Sequence, residues 1–426
     1  MYEITNKEVT VNEQEILESA PQRIRQSRTA EVELRLVDES GEPLPNAQVR
    51  VQLARHEFGF GCNAFLVNWI ADDELQRAYE QRFSDLLNYA TLPFYWAGYE
   101  REKGKTQQER LHAMAEWCAR HQIPAKGHPL VWHEVYPAWG HACHDDEVIA
   151  RLEERVKRIV SQFRDSVDIW DVVNEATVSH RFDNAIGRWV ADKGAAACVA
   201  QALNWARAAN PSATLLYNDF YISEDFERLV AALLDQGAPL DVIGIQSHMH
   251  KGTWPLERAW QVCETYARFG LPLHWTELTV LSGRPKAADD NDWHTRHTDW
   301  PSTPQGELAQ AEYGTKLYTL LFSHPAVEAI TWWDFSDHHS WQGAPSGLVR
   351  GDMSPKPLYE QLRHLVCEEW STDAQATSDE NGRASLRCAF GQHQVETVLH
   401  TGAHLAGSFD LCRKGGRSVE VKLRPV

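Results

Sequence analysis

The chain has 426 residues, long enough for a barrel-sized domain of about 250 to 300 residues plus a smaller unit. Sixty acidic against 42 basic side chains leave a formal charge of −18 without a basic block, which opposes nucleic acid or an anionic membrane surface as a partner. Seventeen tryptophans suit a carbohydrate partner, because indole faces stack on the C–H faces of sugar rings; core packing is the other use of the same side chains.

In chain order, the amino end MYEITNKEVTVNEQEILE has neither a basic leader nor an apolar run. No signal peptide is expected there, so the chain would be cytoplasmic as it stands, or secreted if a leader had been removed. No stretch approaches the roughly 20 apolar residues of a membrane span. Residues 31–53 alternate apolar and polar on both sides of a Gly/Pro/Asn turn, a hairpin pattern. The alternation returns after residue 371 in ASLRCAF, VETVLHT and SVEVKLR. Two or three strands cannot bury a core alone, so both ends are expected to pair into one small β-sandwich, built from 1–54 and 371–426.

Between these ends, short apolar runs alternate with helical patterns over 55–370, the signature of parallel β/α architecture. Strands are expected near 58–62, 88–92, 125–130, 167–173, 213–217, 241–246, 273–276 and 329–333. Eight such units make the expected fold class α/β, a (β/α)₈ TIM barrel. One helix can be checked by eye: Val148, Leu152, Val156, Ile159, Val160 and Phe163 recur every three or four residues with charges between, so one face packs on the strands. The eight cysteines are scattered without a C-x-x-C spacing. They read as buried thiols or occasional pairs and not as a zinc site, and no cofactor is expected.

In a barrel of this kind the working residues sit where strands end and loops begin. Those positions hold Asn63, His128, Asn174 with Glu175, Asn218 with Asp219, Gln246 with His248, Glu277, and Asp334 with Asp337. Glycoside hydrolysis needs two carboxyl groups, one to protonate the leaving oxygen and one to attack the anomeric carbon or activate water. Glu175 and Glu277 fit best, since each directly follows an apolar strand, in DIWDVVNE and LPLHWTE. A surface glutamate normally sits in a charged helical face.

GHPLVWH (127–133), WDVVNEA (170–176), IGIQSHMH (243–250), WTEL (275–278) and ITWWDFSDHHSW (330–341) resemble, in order and spacing, the motifs of glycoside hydrolase family 10, the endo-β-1,4-xylanase family. The likeness covers roughly residues 55–370, and the ends look like the β-sandwich flanks of plant-type members. The resemblance implies a retaining β-glycoside hydrolase cleaving β-1,4-xylosidic bonds by double displacement, with Glu175 as acid/base and Glu277 as nucleophile. It implies that Asn174 bonds the sugar 2-hydroxyl, that His248 bonds Glu277, and that Gln246 positions the carboxylates. His128 and Trp132 would contact the sugar, and Trp333 and Trp341 would form an aromatic platform. His133, Asn218, Asp219 and Tyr221 stay open between structural and binding roles.

Two stretches depart from the family's pattern. Its members usually carry Glu-Asn-x-x-Lys-Trp after the second strand, binding the sugar unit one further from the cleavage point. Here ATLPFYWAGYEREKGK (90–105) lacks the Glu-Asn pair and the Lys, and Phe94, Tyr95, Trp96 and Tyr99 suggest an aromatic subsite. The second is a long loop after the nucleophile strand, 282–305, with Trp293, His294, His297 and Trp300 among acidic residues. It is expected to be an extra subsite wall; a solvated loop or a metal site from its Asp and His residues are the alternatives. The same mechanism acting on decorated oligosaccharides or aglycone-bearing β-glycosides, and a catalytically silent carbohydrate-binding barrel, are the competing functions.

Overall fold

A computed structural model describes residues 12–399 and 402–426 of the chain; most of the amino-terminal stretch read above for a leader lies outside the described residues. Two strands open the β-structure, β1 (Thr29–Val37) and β2 (Gln48–His56). They are followed by β3 (Gly59–Asn63), β4 (Tyr89–Pro93), β5 (Ala125–His128), β6 (Ile169–Asn174), β7 (Thr214–Asp219), β8 (Val242–Met249), β9 (Leu273–Val280) and β10 (Val327–Trp332). The chain closes with β11 (Asp373–Thr377), β12 (Arg383–Ala389), β13 (Gly391–Val398), β14 (His404–Leu411), β15 (Ser418–Lys422) and β16 (Arg424–Pro425).

Strands β3 to β10 pair in sequence order and all in parallel, and β10 returns to β3 to close the barrel. Each of the eight expected strands is present. Parallel strands need a crossover between them, and helices such as Asp145–Gln162 provide it. That helix starts on three acidic residues, favourable at the positive end of its dipole. It buries Val148, Leu152, Val156, Ile159 and Val160, each such side chain worth about 1.5 to 3 kcal/mol.

The two chain ends share a separate sandwich. One sheet has the order β12-β1-β15, the other β11-β2-β13-β14-β16. Alternate residues on their facing sides, Val32, Leu34 and Leu36 on β1, Val49 and Val51 on β2, Leu386, Val395, Phe409 and Val421 on the later strands, form a second hydrophobic core. Ahead of β1, two helices spanning Glu13–Glu18 and Ala20–Arg28 join the barrel: Ile16 lies in the barrel core. The sequence reading passed over them, although Asn12 and Glu15 form a capping box and Pro21 stands in the first turn of the second helix.

All eight cysteines are free thiols, and Cys367 and Cys412 are exposed, not buried as the composition suggested. Among the described residues, no helix is long and apolar enough to cross a membrane.

Arg28 joins the two parts. Its guanidinium, 6% exposed, donates to the carbonyls of Phe322 (2.7 Å), His324 (2.7 Å) and Val327 (2.6 Å) and lies over the Phe58 ring. Burial pulls its pKa down to about 9. Arg28→Ala would leave three carbonyls without their donor at about 1 to 3 kcal/mol per buried group. We expect a loss of at least about 3 kcal/mol in a urea-unfolding experiment; a change under 1 kcal/mol would mean that water replaces the guanidinium at no cost.

Candidate active site

β6 runs through buried Trp170, Val172 and Val173 to Asn174. Glu175 follows in the left-handed region, at φ 59° and ψ 41°, a conformation that costs a non-glycine residue about 1 to 3 kcal/mol. Its N–H donates to the Asn218 carbonyl at 2.8 Å, which holds the turn. The carboxyl is buried, with Oε1 accepting from Asn174 Nδ2 (3.0 Å) and Gln246 Nε2 (3.0 Å), and Oε2 from Trp132 Nε1 (2.9 Å).

Glu277 stands in the middle of β9. The register slips by one residue there, so that Ile245 pairs with Trp275 but Gln246 with Glu277; such a bulge re-aims a side chain. Its Oε1 accepts from Asn218 Nδ2 (2.8 Å) and its Oε2 faces His248 Nε2 (3.0 Å). The other His248 nitrogen meets Thr279 Oγ1 at 2.9 Å. Asn218 Nδ2 also reaches Asn174 Oδ1 at 2.8 Å, and Gln246 Nε2 reaches that same oxygen at 3.1 Å. Three neutral amides therefore lie between two carboxyl groups and fix them relative to each other.

Burial first, then the negative charge of Glu277, push Glu175 well above the usual carboxylate range, although the Gln246 hydrogen bond opposes this. Below them, His128 Nδ1 lies 2.7 Å from Asp171 Oδ2, and its Nε2 lies 3.7 Å from Glu277 Oε1. Asp171 pairs with Lys126 Nζ at 2.7 Å, both side chains fully buried. Burial alone would raise Asp171, but Lys126 and His128 outweigh it and hold it below the usual range. The sequence reading missed this pair. Its signal was present: Lys126 and Asp171 are charges inside otherwise apolar strands, and a buried charge needs a partner.

Around the carboxyls stand the rings of Tyr95, Trp132, Trp333 and Trp341. Tyr95 lies 5.3 Å from His128 and 5.7 Å from Trp132, and Trp333 lies 5.4 Å from His128. The backbone N–H of Trp341 donates to Asp334 Oδ2 at 2.9 Å, and burial raises Asp334 to about 6. Asn63 reaches its other oxygen at 3.4 Å.

The remaining candidates have other partners, although His133 stays within 4.8 Å of Glu175. Trp96 is not brought to the glutamates: its Nε1 donates to Glu100 (3.1 Å) and its ring packs on Tyr136 and Trp139. Phe94 is fully buried against Phe163 and Trp170, with Tyr99 beside it. Of the four aromatics expected to form a subsite, Tyr95 alone faces the carboxyls, because Trp96–Tyr99 is a short helix whose apolar side turns into the core. Asp219 holds Thr177 and the Tyr221 backbone. Asp337 binds Lys356 and the Gly347 N–H. His133 Nδ1 meets Ser179 Oγ at 2.6 Å, and Tyr221 is exposed beside Arg181.

The 282–305 loop is anchored. Arg296 donates to the Ser340 carbonyl (2.9 Å), the His297 N–H to that of Gln342 (2.7 Å), and Trp293 stacks on Trp341 with centroids 5.9 Å apart. Its Asp and His side chains form no ligand cluster. Among the described residues, the group spaced to share an ion is His133, Glu134 and Glu175, which belongs to the site above.

Glu277→Gln removes the negative neighbour while keeping the volume, so it favours ionisation of Glu175. We expect the Glu175 pKa to fall in this variant, read by ¹³C NMR of the labelled carboxyl. An unchanged value would mean that burial alone sets it.

Residues 66–365 match the model of glycosyl hydrolase family 10. The chain belongs to that family. It is similar to endo-1,4-beta-xylanase B of Thermotoga neapolitana, 30% identical over 288 residues that cover 64% of this chain and 78% of that one. A second likeness, to the anti-sigma-I factor RsgI6 of Acetivibrio thermocellus, is 24% identical and covers 90% of this chain but 47% of that protein. Among solved structures, xylanase 10B from Thermotoga petrophila RKU-1, in complex with xylobiose, superposes with a TM-score of 0.62 at 25% identity. That match covers 74% of this chain and 95% of the other. Family 10 membership thus accounts for the barrel, while the sandwich lies outside the matched region.

Proposed function

We propose that this family 10 glycoside hydrolase cleaves β-1,4-xylosidic bonds in xylan or xylo-oligosaccharides with net retention. The observation that carries the reading is a pair of buried carboxyls bridged by the hydrogen bonds of three neutral amides, with Glu175 held above the usual carboxylate range. Glu175, held protonated by burial and by its neighbour, suits a general acid. Glu277, fixed by Asn218 and His248, suits a nucleophile. In the first step Glu277 attacks the anomeric carbon while the Glu175 proton passes to the departing glycosidic oxygen. In the second, Glu175 takes a proton from water as that water displaces Glu277. Asn174 is placed to bond the sugar 2-hydroxyl, Gln246 to orient the acid, and His128 and Trp132 to contact the sugar. Trp333 and Trp341 supply its stacking platform, and Tyr95 lines the same space. Trp96 acts by supporting the loop that carries Tyr95. In the same proposal the barrel, 55–370, is the catalytic unit, and the sandwich of β1, β2 and β11 to β16 is an accessory to it.

The raised Glu175 carboxyl disfavours a silent binding barrel, since binding sugar does not require an acid held protonated beside a second buried carboxyl. Glu277→Gln should lower kcat by about four orders of magnitude or more. Glu175→Ala should be partly rescued by azide on an aryl β-xyloside, giving a β-xylosyl azide by ¹H NMR. Wild-type activity in either variant reassigns the roles.

Tyr95 favours a second reading of the substrate. Without the family's Glu, Asn and Lys side chains, charge-assisted hydrogen bonds worth about 1.5 to 3 kcal/mol each are lost. Linear xylan should therefore be a poorer substrate, by about tenfold or more in kcat/KM, than a short, decorated or aglycone-bearing β-glycoside. A competition assay in which linear xylan wins, with Tyr95→Ala unchanged, removes this second reading and leaves the first.

A further inference from the structure

Few large apolar side chains reach solvent among the described residues, and the aromatic ones, Trp69, Phe220 and Tyr221, all stand in loops that follow barrel strands. An exposed ring is by itself ordinary on a protein surface. Trp69 differs in how it is held. Its N–H donates to the Leu66 carbonyl (3.1 Å) and to Gln76 Oε1 (3.1 Å), and the same amide oxygen accepts from the Ile70 N–H at 2.7 Å. Asn68, just before it, lies in the left-handed region at φ 55° and reaches the Ala113 carbonyl at 3.3 Å. The ring that Trp69 meets, His339, belongs to a second left-handed residue, at φ 58°, and touches the indole edge to face at 4.8 Å. Two pinned and strained backbones thus hold out an indole that stays 45% exposed and whose N–H has no hydrogen-bond partner among the described residues. Strain of this kind clusters where a ligand is held.

The pair also has a definite place. In the closed barrel β3 lies beside β10, and β10 lies beside β9, which carries Glu277, and across from β6, which leads to Glu175. Trp69 and His339, in the loops after β3 and β10, therefore stand on the nucleophile's side. The same loops carry the inner rings: Phe65 meets Trp333 at 5.5 Å, and Trp341 meets His248, the partner of Glu277, at 4.7 Å. The sugar that Glu277 attacks is the first unit of the glycone, and the proton donor faces the leaving group, so further glycone units run away from Glu175.

We propose that Trp69, steadied by His339, is a distal glycone platform. Its indole stacks on the apolar face of a sugar in the same β-linked chain, beyond the unit held by Trp333 and Trp341. It selects for chain length and takes no part in bond cleavage. The inference deepens the proposed function and rests on it.

The test compares kcat/KM on xylohexaose and on an aryl β-xyloside, whose single sugar falls short of the platform. In Trp69→Ala the ratio of hexaose to aryl xyloside should fall at least fivefold, and Trp69→Phe, which keeps a ring, should recover most of it. A merely structural role lowers both substrates together, so an unchanged ratio overturns the proposal. With hexaose labelled at its reducing end and products read by mass spectrometry, Trp69→Ala should shift cleavage to longer labelled fragments, because chains then bind with fewer sugars on the glycone side. A shift to shorter labelled fragments places the ring on the leaving side and overturns the assignment. Should Trp69→Ala not fold, His339→Asn removes the supporting ring while keeping a residue at ease in the left-handed region; it should lower the same ratio at least twofold, and no change overturns the proposal. A wild-type protein that hydrolyses neither substrate would overturn the proposed function itself, and this inference with it.

Discussion

Two glutamate carboxyls buried at one end of a barrel cannot both carry full charge at ordinary cost, because each desolvated carboxylate repels the other. The local structure answers to that constraint. Asn174, Asn218 and Gln246 are neutral, so they fix the geometry without adding a charge that would make the two carboxyls alike. Lys126, buried below the site, pairs with Asp171, which in turn meets the His128 ring. A lysine placed directly beside Glu175 would favour its ionised form and remove the acid.

The barrel contributes position. Every strand is pinned by neighbours on both sides, so side chains at the carboxyl ends of β5 to β9 approach from fixed directions. The register slip in β9 and the left-handed turn at Glu175 are local irregularities within that frame. Irregular backbone tolerated by a rigid surround is how a fold stores the cost of an unusual site geometry. Here the strain falls at the first residue beyond β6, where the N–H bond to Asn218 holds the turn and Asn174, Gln246 and Trp132 hold the carboxyl.

Much of this was legible in the sequence because it rests on period and position. The eight strands showed as apolar runs, and the two glutamates showed as acids ending such runs. The aromatic stretch 94–99 was misleading because residue type does not fix orientation: a short helix turns Trp96 and Tyr99 into the core and leaves Tyr95 facing out. The Lys126–Asp171 pair was missed because β5 and β6, paired at Gly127 and Trp170, become neighbours only once the crossover between them has folded. The helices of 13–28 carry few apolar residues, and what holds them is tertiary, Ile16 in the barrel core and the carbonyls around Arg28.

The sandwich has a consequence for how the chain reaches its folded state. β1 pairs with β12 and β15, and β2 with β11 and β13, so the earliest strands to be made have partners only among the last. At about 5 to 20 residues per second of synthesis, β1 and β2 wait on the order of 20 to 60 s with unpaired edges and an apolar face uncovered. The barrel can form in that interval, since each of its strands follows its neighbour in sequence. The two charged helices before β1, docked by Arg28 onto the helix ahead of β10 and the turn after it, hold the waiting strands against a nearly finished barrel until the carboxyl-terminal strands arrive.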